Sequence, residues 1–328
     1  MIDDLSPELL DEWYPALLST ELLDKPVPAT LLGKQIVFFR TSAGVHAFKD
    51  LCIHRGVPLS LGRVENDELI CAYHGWRYDG CGNCVRIPSL PAERAIPDKA
   101  KANAYACIER YGLVWVSLGT PKGSEPFFFR NLRQQDNKVV LMGPYELAAA
   151  GPRIVENFLD VSHLMFVHEG LLGDSRFPEI PDYRVNEDDQ GHLRTDEIVV
   201  FQPDADGRGT SMDSHYIYEV YGPFTAALIK SNPDNGERFH LFLMVQPITE
   251  QGSRAYMLKA RNYDIEAPDD AFIAFQNTLI EQDRVMVENQ KPELLPLDLQ
   301  AELHLKCDRM SIAYRQRLKF WGVTFGTA

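Results

Sequence analysis

The chain has 328 residues, 45% hydrophobic and 24% charged, a balance that suits a soluble globular protein with room for two domains. Its formal net charge of −14, with a pI near 5.1, repels phosphate backbones and anionic lipid and so argues against nucleic acid and membranes as partners. The start, Met1-Ile-Asp-Asp-Leu5, lacks the basic and apolar regions of a signal peptide, and no stretch approaches the roughly 18 apolar residues of a membrane span. The expected location is cytoplasmic.

Residues 1–12 are acidic and read as a short helix, with Ser6 able to cap it and Pro7 at its first position. From Trp13 to about Ser117 the texture is β. Short runs such as Gln35–Phe39, Val45–Phe48, Glu68–Cys71 and Leu113–Val116 are separated by Gly, Asp and Asn turns. Ser42-Ala43-Gly44 and Glu65-Asn66-Asp67 read as hairpin turns. His46 falls inside a strand and matches no ligand pattern.

The loops of this β region carry the most specific signal in the chain. Cys52-Ile53-His54 is followed, after sixteen residues, by Cys71-Ala72-Tyr73-His74. Two such Cys-plus-His pairs are what a Rieske [2Fe–2S] centre needs, with thiolates of Cys52 and Cys71 on one iron and imidazoles of His54 and His74 on the other. Neutral imidazoles in place of thiolates make the cluster less negative. Its reduction potential then lies between about −150 and +300 mV, against about −400 mV for an all-thiolate plant-type cluster. A structural zinc site uses the same ligand types, but zinc sites usually pair like with like in C-x2-4-C and H-x3-5-H halves. Here each half mixes Cys with His, and Arg55-Gly56 and Gly75-Trp76 follow the two pairs. Of the remaining cysteines, Cys81 and Cys84 form a C-x-x-C in the loop Asp79–Cys84. No second ligand pair follows it, so they read as reduced, unpaired thiols beside the cluster.

Arg86–Pro91 closes this module, Lys99–Ala106 leads into a last hairpin ending at Leu118, and Gly119–Gly123 is a linker by composition. A boundary between 120 and 140 divides the chain into residues 1–125, including an N-terminal extension, and residues 126–328. The second part opens with a β run, Val139–Leu147, then Gly151-Pro152 before a helical stretch. From about Tyr183 to Tyr263, the runs Arg194–Phe201, Ser214–Val220, Phe224–Lys230, Phe239–Gln246 and Ala255–Tyr263 predict a five- or six-stranded antiparallel sheet. Pro268-Asp269-Asp270 starts a helix whose apolar stripe is Phe272, Phe275, Leu279 and Ile280, and Asp308 is placed to cap a last helix through Leu318.

The helical stretch Glu156–Gly170 is the second informative piece. Asn157, Asp160 and His163 recur every three residues and so share one side of a helix. His163 and His168 are five apart, about 140° around a regular helix, so both reach one metal only if the helix loosens before Gly170. A distant carboxylate would complete a set of two histidines and one carboxylate on one face of iron, with positions left open for oxygen and substrate. Taken alone, two histidines in an amphipathic helix are ordinary packing or solvated groups. Beside an electron-transfer cluster they acquire a purpose, because something must consume the electrons.

With Cys52-x-His54…Cys71-x-x-His74 and Glu156-Asn157-x-x-Asp160-x-x-His163-x4-His168, the chain resembles the α-subunits of Rieske non-haem iron oxygenases over nearly its whole length, about Trp13 to Leu318. It is most similar to the branch with dicamba monooxygenase, vanillate O-demethylase and the purine N-demethylases, which Asp283-x4-Glu288-x-Gln290 and Asp308–Arg315 also resemble. The resemblance implies an α+β fold. An all-β Rieske domain would be followed by a helix-grip domain, an antiparallel sheet with helices, that holds a mononuclear iron. It implies that His163, His168 and Asp283 bind that iron, with Glu281 as the alternative carboxylate, because the family often has Glu-Asp where this chain has Gln282-Asp283. Asn157 would stand beside the iron. Asp160 would bridge His163 to a cluster histidine of a neighbouring subunit in a head-to-tail homotrimer.

The implied activity is that of a terminal oxygenase using O2 and electrons from NAD(P)H. No G-x-G-x-x-G lies between a strand and a helix, so a separate reductase, with or without a ferredoxin, must supply those electrons. Phe201, Tyr216, Tyr218 and Phe242 are candidate lining for a small aromatic or heteroaromatic substrate. Demethylation or hydroxylation is favoured, with ring cis-dihydroxylation as the alternative. An electron-transfer or ligand-sensing Rieske protein is the reading from a different class.

Overall fold

The computed structural model describes residues 5–121, 123–126, 128–132 and 137–328. The first four residues of the expected N-terminal helix, and Lys122 of the expected linker, lie outside the described residues. The chain divides into two compact units, Met1–Pro126 and Phe127–Ala328. Among the described residues no helix is long and apolar enough to cross a membrane.

The first unit begins with α1 (Pro7–Leu10), where Ser6 occupies the cap position but its hydroxyl makes no capping bond. Two antiparallel sheets follow. One is built from β1 (Tyr14–Leu18), β2 (Val27–Leu31), β3 (Lys34–Thr41) and β4 (Gly44–Lys49). The small sheet β5 (Arg63–Glu65), β6 (Glu68–Ile70), β7 (Arg77–Tyr78) and β8 (Cys84–Arg86) is inserted next, before β9 (Ala104–Arg110) and β10 (Leu113–Ser117) complete the first. The orders are β1-β10-β9-β4-β3-β2 and β5-β6-β7-β8. The turn between β5 and β6 places Asn66 and Asp67 at φ 54° and 61°, the left-handed pair that a two-residue hairpin requires. Between the sheets, Val37, Phe39, Phe48, Leu59, Leu69 and Tyr78 form one apolar core with Cys52, Cys71 and Cys84. The cysteine loops are therefore anchored from inside.

The second unit contains α2 (Phe129–Leu132), β11 (Lys138–Leu147), α3 (Gly151–Leu159), α4 (Leu164–Val167), β12 (Val185–Glu187), β13 (Leu193–Thr195) and β14 (Ile198–Gln202). Four long strands follow, β15 (Met212–Gly222), β16 (Thr225–Ser231), β17 (Arg238–Thr249) and β18 (Gly252–Arg261), then α5 (Asp270–Val287) and α6 (Arg309–Phe320). The sheet has eight strands rather than five or six, in the order β11-β18-β17-β16-β15-β13-β12, with β14 also on β15. The expected strand Arg194–Phe201 breaks into β13 and β14, which pair with successive parts of β15. The run before α3 joins as an edge strand, and β12 adds the other edge. The α5 helix buries Phe272, Gln276, Leu279, Ile280 and Val287, the helical period of its covered face, whereas Phe275 is only half-buried.

The expected continuous helix through Glu156–Gly170 is not formed. It ends at Leu159, because Asp160 turns extended (ψ 117°) and its carboxylate accepts from Ser162 N (2.8 Å) and Ser162 Oγ (2.5 Å). An Asp that bonds the backbone two residues on favours a turn over a helix. A buried ion network holds α3 in place behind this break. Arg315 on α6 donates to Glu156 (2.5 and 2.8 Å) and to Glu302, and Arg153 on α3 donates to Glu302 (2.9 Å).

Candidate active site

The two Cys–His pairs of the first unit are framed by one repeated backbone device. Cys52 N donates to Val57 O (2.8 Å) and Gly56 N to Cys52 O (2.9 Å); Cys71 N donates to Trp76 O (2.9 Å) and Gly75 N to Cys71 O (3.1 Å). In both loops a glycine sits four residues after the cysteine at positive φ, 71° at Gly56 and 68° at Gly75, where an L side chain is strained. Each thiol is thereby turned inward, and Cys52 and Cys71 are both 2% exposed. His54 and His74 approach each other on the outside, ring centroids 4.6 Å apart, with Trp76 stacked on His54 at 4.6 Å and Tyr73 against His74 at 3.8 Å. The Nδ1 atom of His54 is shielded and has no hydrogen-bond partner among the described residues. Burial pushes the Cys71 thiol up, with Cys52 beside it adding to the shift.

Thiols converging from inside and imidazoles from outside suit a two-iron cluster with its histidine iron at the tip. One further group was not foreseen. The Tyr78 hydroxyl lies 3.2 Å from Cys52 Sγ, where it donates to a thiolate. Cys84 is buried in the same core and Cys81 is exposed, both as free thiols.

In the second unit His163 and His168 stand at the two ends of the single turn α4, which the break at Asp160 frees from α3. Their rings are 5.1 Å apart, and α5 carries Asp283 against both. Asp283 Oδ1 lies 3.4 Å from His163 Nε2 and 3.2 Å from His168 Nε2, and the three ligand-type atoms all fall within 4.8 Å of one another. Burial raises the Asp283 carboxyl, but the two imidazoles outweigh it and hold the pKa at about 2. Burial likewise opposes the charged form of His163, yet Asp160 and Asp283 push it up to about 9. A divalent cation at this point would displace the proton from His163 and take the imidazole lone pair beside the ionised Asp283. Glu281 faces away, with its side chain 62% exposed and paired to Arg284 at 2.9 Å, so the alternative carboxylate is remote from the histidines.

Neighbouring groups orient this trio. Gln282 Oε1 lies 2.7 Å from His168 Nδ1, which assigns the hydrogen to Nδ1 and leaves the Nε2 lone pair toward Asp283. The departure Gln282 for Glu therefore lands on a histidine partner. Asn157 Nδ2 lies 3.5 Å from Asp283 Oδ1. Asp160 Oδ2 is 3.7 Å from His163 Nδ1, a close electrostatic contact rather than a hydrogen bond, and that Nδ1 has no hydrogen-bond partner among the described residues.

Above the trio lies a cavity of about 80 Å3 between the sheet and α5. Tyr216 and Tyr218 line it with Leu228, Leu241, Leu243 and Met257. Phe201 and Phe242 do not. Side chains alternate across a strand, so Phe242 points to the opposite face from Leu241 and Leu243 and packs on Phe128, while Phe201 is 37% exposed. Tyr218 and Gln276 are polar lining groups that no side chain or backbone atom engages at the hydroxyl or amide among the described residues.

Residues 12–106 match the Rieske [2Fe–2S] domain, and residues 147–323 match the vanillate O-demethylase oxygenase C-terminal domain. The chain belongs to the Rieske non-haem iron oxygenases. It is 31% identical to the methylxanthine N1-demethylase NdmA of Pseudomonas putida over 97% of this chain and 91% of that protein. It is 34% identical to a vanillate O-demethylase oxygenase subunit of Pseudomonas sp. (strain HR199), over 52% of this chain and 48% of that one. Among solved structures, NdmA with caffeine superposes with a TM-score of 0.82 at 28% identity, covering 95% of this chain and 90% of that one. Dicamba monooxygenase bound to dicamba gives 0.78 at 23% identity, covering 95% and 97%, and attests the fold. The oxygenase is thus the terminal component of a system with a Rieske cluster and a mononuclear iron, fed by a separate reductase. The electron-transfer and sensing alternative falls with this assignment.

Proposed function

We propose that the oxygenase demethylates or hydroxylates a small aromatic or heteroaromatic compound, with His163, His168 and Asp283 as ligands of its catalytic iron and Cys52, His54, Cys71 and His74 as ligands of its cluster. The observation that carries this reading is the meeting of two Nε2 atoms and one carboxylate oxygen within 4.8 Å at the floor of an apolar cavity. When bound, the cluster passes electrons on and the mononuclear iron activates O2.

The chain's own residues do the rest. The Leu- and Met-lined cavity excludes water and receives a flat ring, while the free Tyr218 hydroxyl and Gln276 amide meet its polar edge. Asn157 steadies Asp283 from the other side. Asp160 reaches outward from His163 toward a cluster histidine of a neighbouring subunit. Support for that bridge is a depression that Asp160, His163, Gln290, His304 and Asp308 line beside Val167, Val285, Met286 and Leu303. Gln290 Oε1 and His304 Nε2 there are shielded yet have no hydrogen-bond partner among the described residues. A head-to-tail homotrimer would fill it. Residues 1–125 and 126–328 are the domains of this scheme, a division supported by the separation at Pro126. The electrons come from NAD(P)H through the reductase, with or without a ferredoxin.

Demethylation is favoured by the names of the relatives, a methylxanthine N1-demethylase and a vanillate O-demethylase. A 3-chlorobenzoate-3,4-dioxygenase subunit of Comamonas testosteroni, 36% identical over 51% of this chain and 39% of that protein, keeps ring dihydroxylation as the rival. Formaldehyde release against a ring diol decides between them. The reading as a whole is tested by iron and acid-labile sulfide per chain after anaerobic reconstitution with Fe(II). About three irons to two sulfides are expected; about two to two would remove the catalytic iron and with it the proposal.

A further inference from the structure

Gln202 is wholly buried and closes a polar chain between β14, β15 and the turn after α4. Its Nε2 lies 2.8 Å from Leu172 O and 2.5 Å from Tyr216 Oη, and its Oε1 lies 2.8 Å from Ser214 Oγ. A backbone carbonyl oxygen only accepts, so the amide presents its nitrogen, not its oxygen, to Leu172. The same nitrogen faces Tyr216, and an amide nitrogen has two hydrogens to give and accepts none. One hydrogen therefore goes to Leu172 O and the other to Tyr216 Oη. Ser214 donates to Oε1, and the amide is satisfied.

One hydrogen is left over. Because Tyr216 Oη accepts from Gln202, its own hydrogen points away from that amide, and no acceptor for it occurs among the described residues. Tyr216 is 1% exposed and lines the cavity above His163, His168 and Asp283. Burial raises the phenol well above its ordinary value, outweighing the opposite pull of Gln202, so the hydrogen is in place at neutral pH. A buried donor left unused costs stability that a bound acceptor recovers. Donation from the amide to Oη also polarises the O–H bond and strengthens it as a donor.

The chain fixes where this donor stands. Leu171 N and Leu172 N both bond His168 O at 3.0 Å, and Asp204 N, two residues past Gln202, bonds Leu171 O at 2.9 Å. The Tyr216 hydroxyl and His168 are thus hung on one frame.

We propose that Tyr216 is a specificity-determining donor of this oxygenase, whose hydroxyl hydrogen, aimed by Gln202, binds an uncharged acceptor oxygen or nitrogen on the substrate and sets how the ring is turned against the iron. The inference rests on the reading of this cavity as the substrate site and deepens it.

The test pairs two neutral molecules of nearly one shape, acetophenone and α-methylstyrene, which exchange a carbonyl oxygen for a methylene. In calorimetric titration of the intact holoprotein, Tyr216→Phe should weaken acetophenone about fivefold, the worth of one neutral hydrogen bond, and leave α-methylstyrene within about twofold. The carbonyl stretch of bound acetophenone should lie at lower frequency in the wild type than in the variant, a signature that lost packing does not produce. An unchanged cluster spectrum and about three irons per chain would verify that the variant is intact. Should the variant lose metal, the stretch in the wild type still decides, since a frequency as high as in hexane marks an unbonded carbonyl. That free frequency, equal weakening of both probes, unchanged acetophenone affinity or binding of neither probe would overturn the inference. Any of these results alongside about three irons per wild-type chain would leave the oxygenase reading intact, whereas about two would take both away.

Discussion

The two histidine pairs of this molecule are held in opposite ways. His54 and His74 project from loops whose shape is set by hydrogen bonds within five residues and by one glycine each, while their cysteine partners plug the core below. His163 and His168 bracket a single helical turn that has almost no local definition of its own. Their geometry depends on Asp160 ending α3, on α5 bringing Asp283 across more than a hundred residues, and on the ion network behind α3. A locally framed site tolerates distant change. A site assembled from tertiary contacts can be emptied from several directions.

Changes on the assembled side should therefore be larger and more selective. Asp283→Ala is expected to abolish turnover and lower iron from about three to about two per chain, with the cluster spectrum unchanged. Full activity in that variant would remove Asp283 from the ligand set. Asp160→Asn should load both metals yet stop electron delivery, read as a reduced cluster that fails to reoxidise in a single turnover with substrate and O2. Gln282→Leu deprives His168 of its orienting partner and should weaken Fe(II) binding by about 10–100-fold, measured by titration against a competing chelator. On the locally framed side, Tyr78→Phe should leave the cluster in place and lower its potential by tens of millivolts, since a thiolate loses a hydrogen bond worth roughly 1 kcal/mol.

The smallest effect is a matter of stability. Burial raises the Glu302 carboxyl, but Arg153 and Arg315 outweigh it and hold its pKa below the ordinary carboxylate range. Its contribution is complete above the unfolded value of about 4.3 and is lost as pH falls through the lower folded value. Glu302→Gln should lower Tm by about 2–4 °C at pH 7, a difference that closes on acidification. A constant difference down to pH 3 would contradict this origin.

The same contrast decides what could be read from the chain before its fold was seen. The cysteine loops were legible because ligands, turn glycines and strand ends lie within a few residues. The long strands β15 to β18 were legible from apolar runs and turn residues. The edge strand β12 was not, because a three-residue strand owes its pairing to β13 rather than to any pattern of its own. The helix break at Asp160 was hidden because Ser162 competes for a carboxylate that the spacing placed on a helical face. Which aromatics line the cavity could not be read either. Phe242 and Leu241 are neighbours in sequence, and only the strand's placement puts Leu241 toward the cavity and Phe242 behind the sheet.

Cross-strand partners on the cavity face, such as Leu228 and Leu241, also act as a ruler. Side chains on one face recur every second residue, about 6.8 Å apart along a strand, roughly the span of an aromatic ring. Leu228 and Leu241 face each other across β16 and β17 and both line the cavity, so their bulk limits how far a ligand extends along it. Bulkier side chains there would shorten the accepted molecule by a whole mark, and smaller ones would lengthen it by the same amount. A series of ligands differing by one ring would reveal the spacing of the marks.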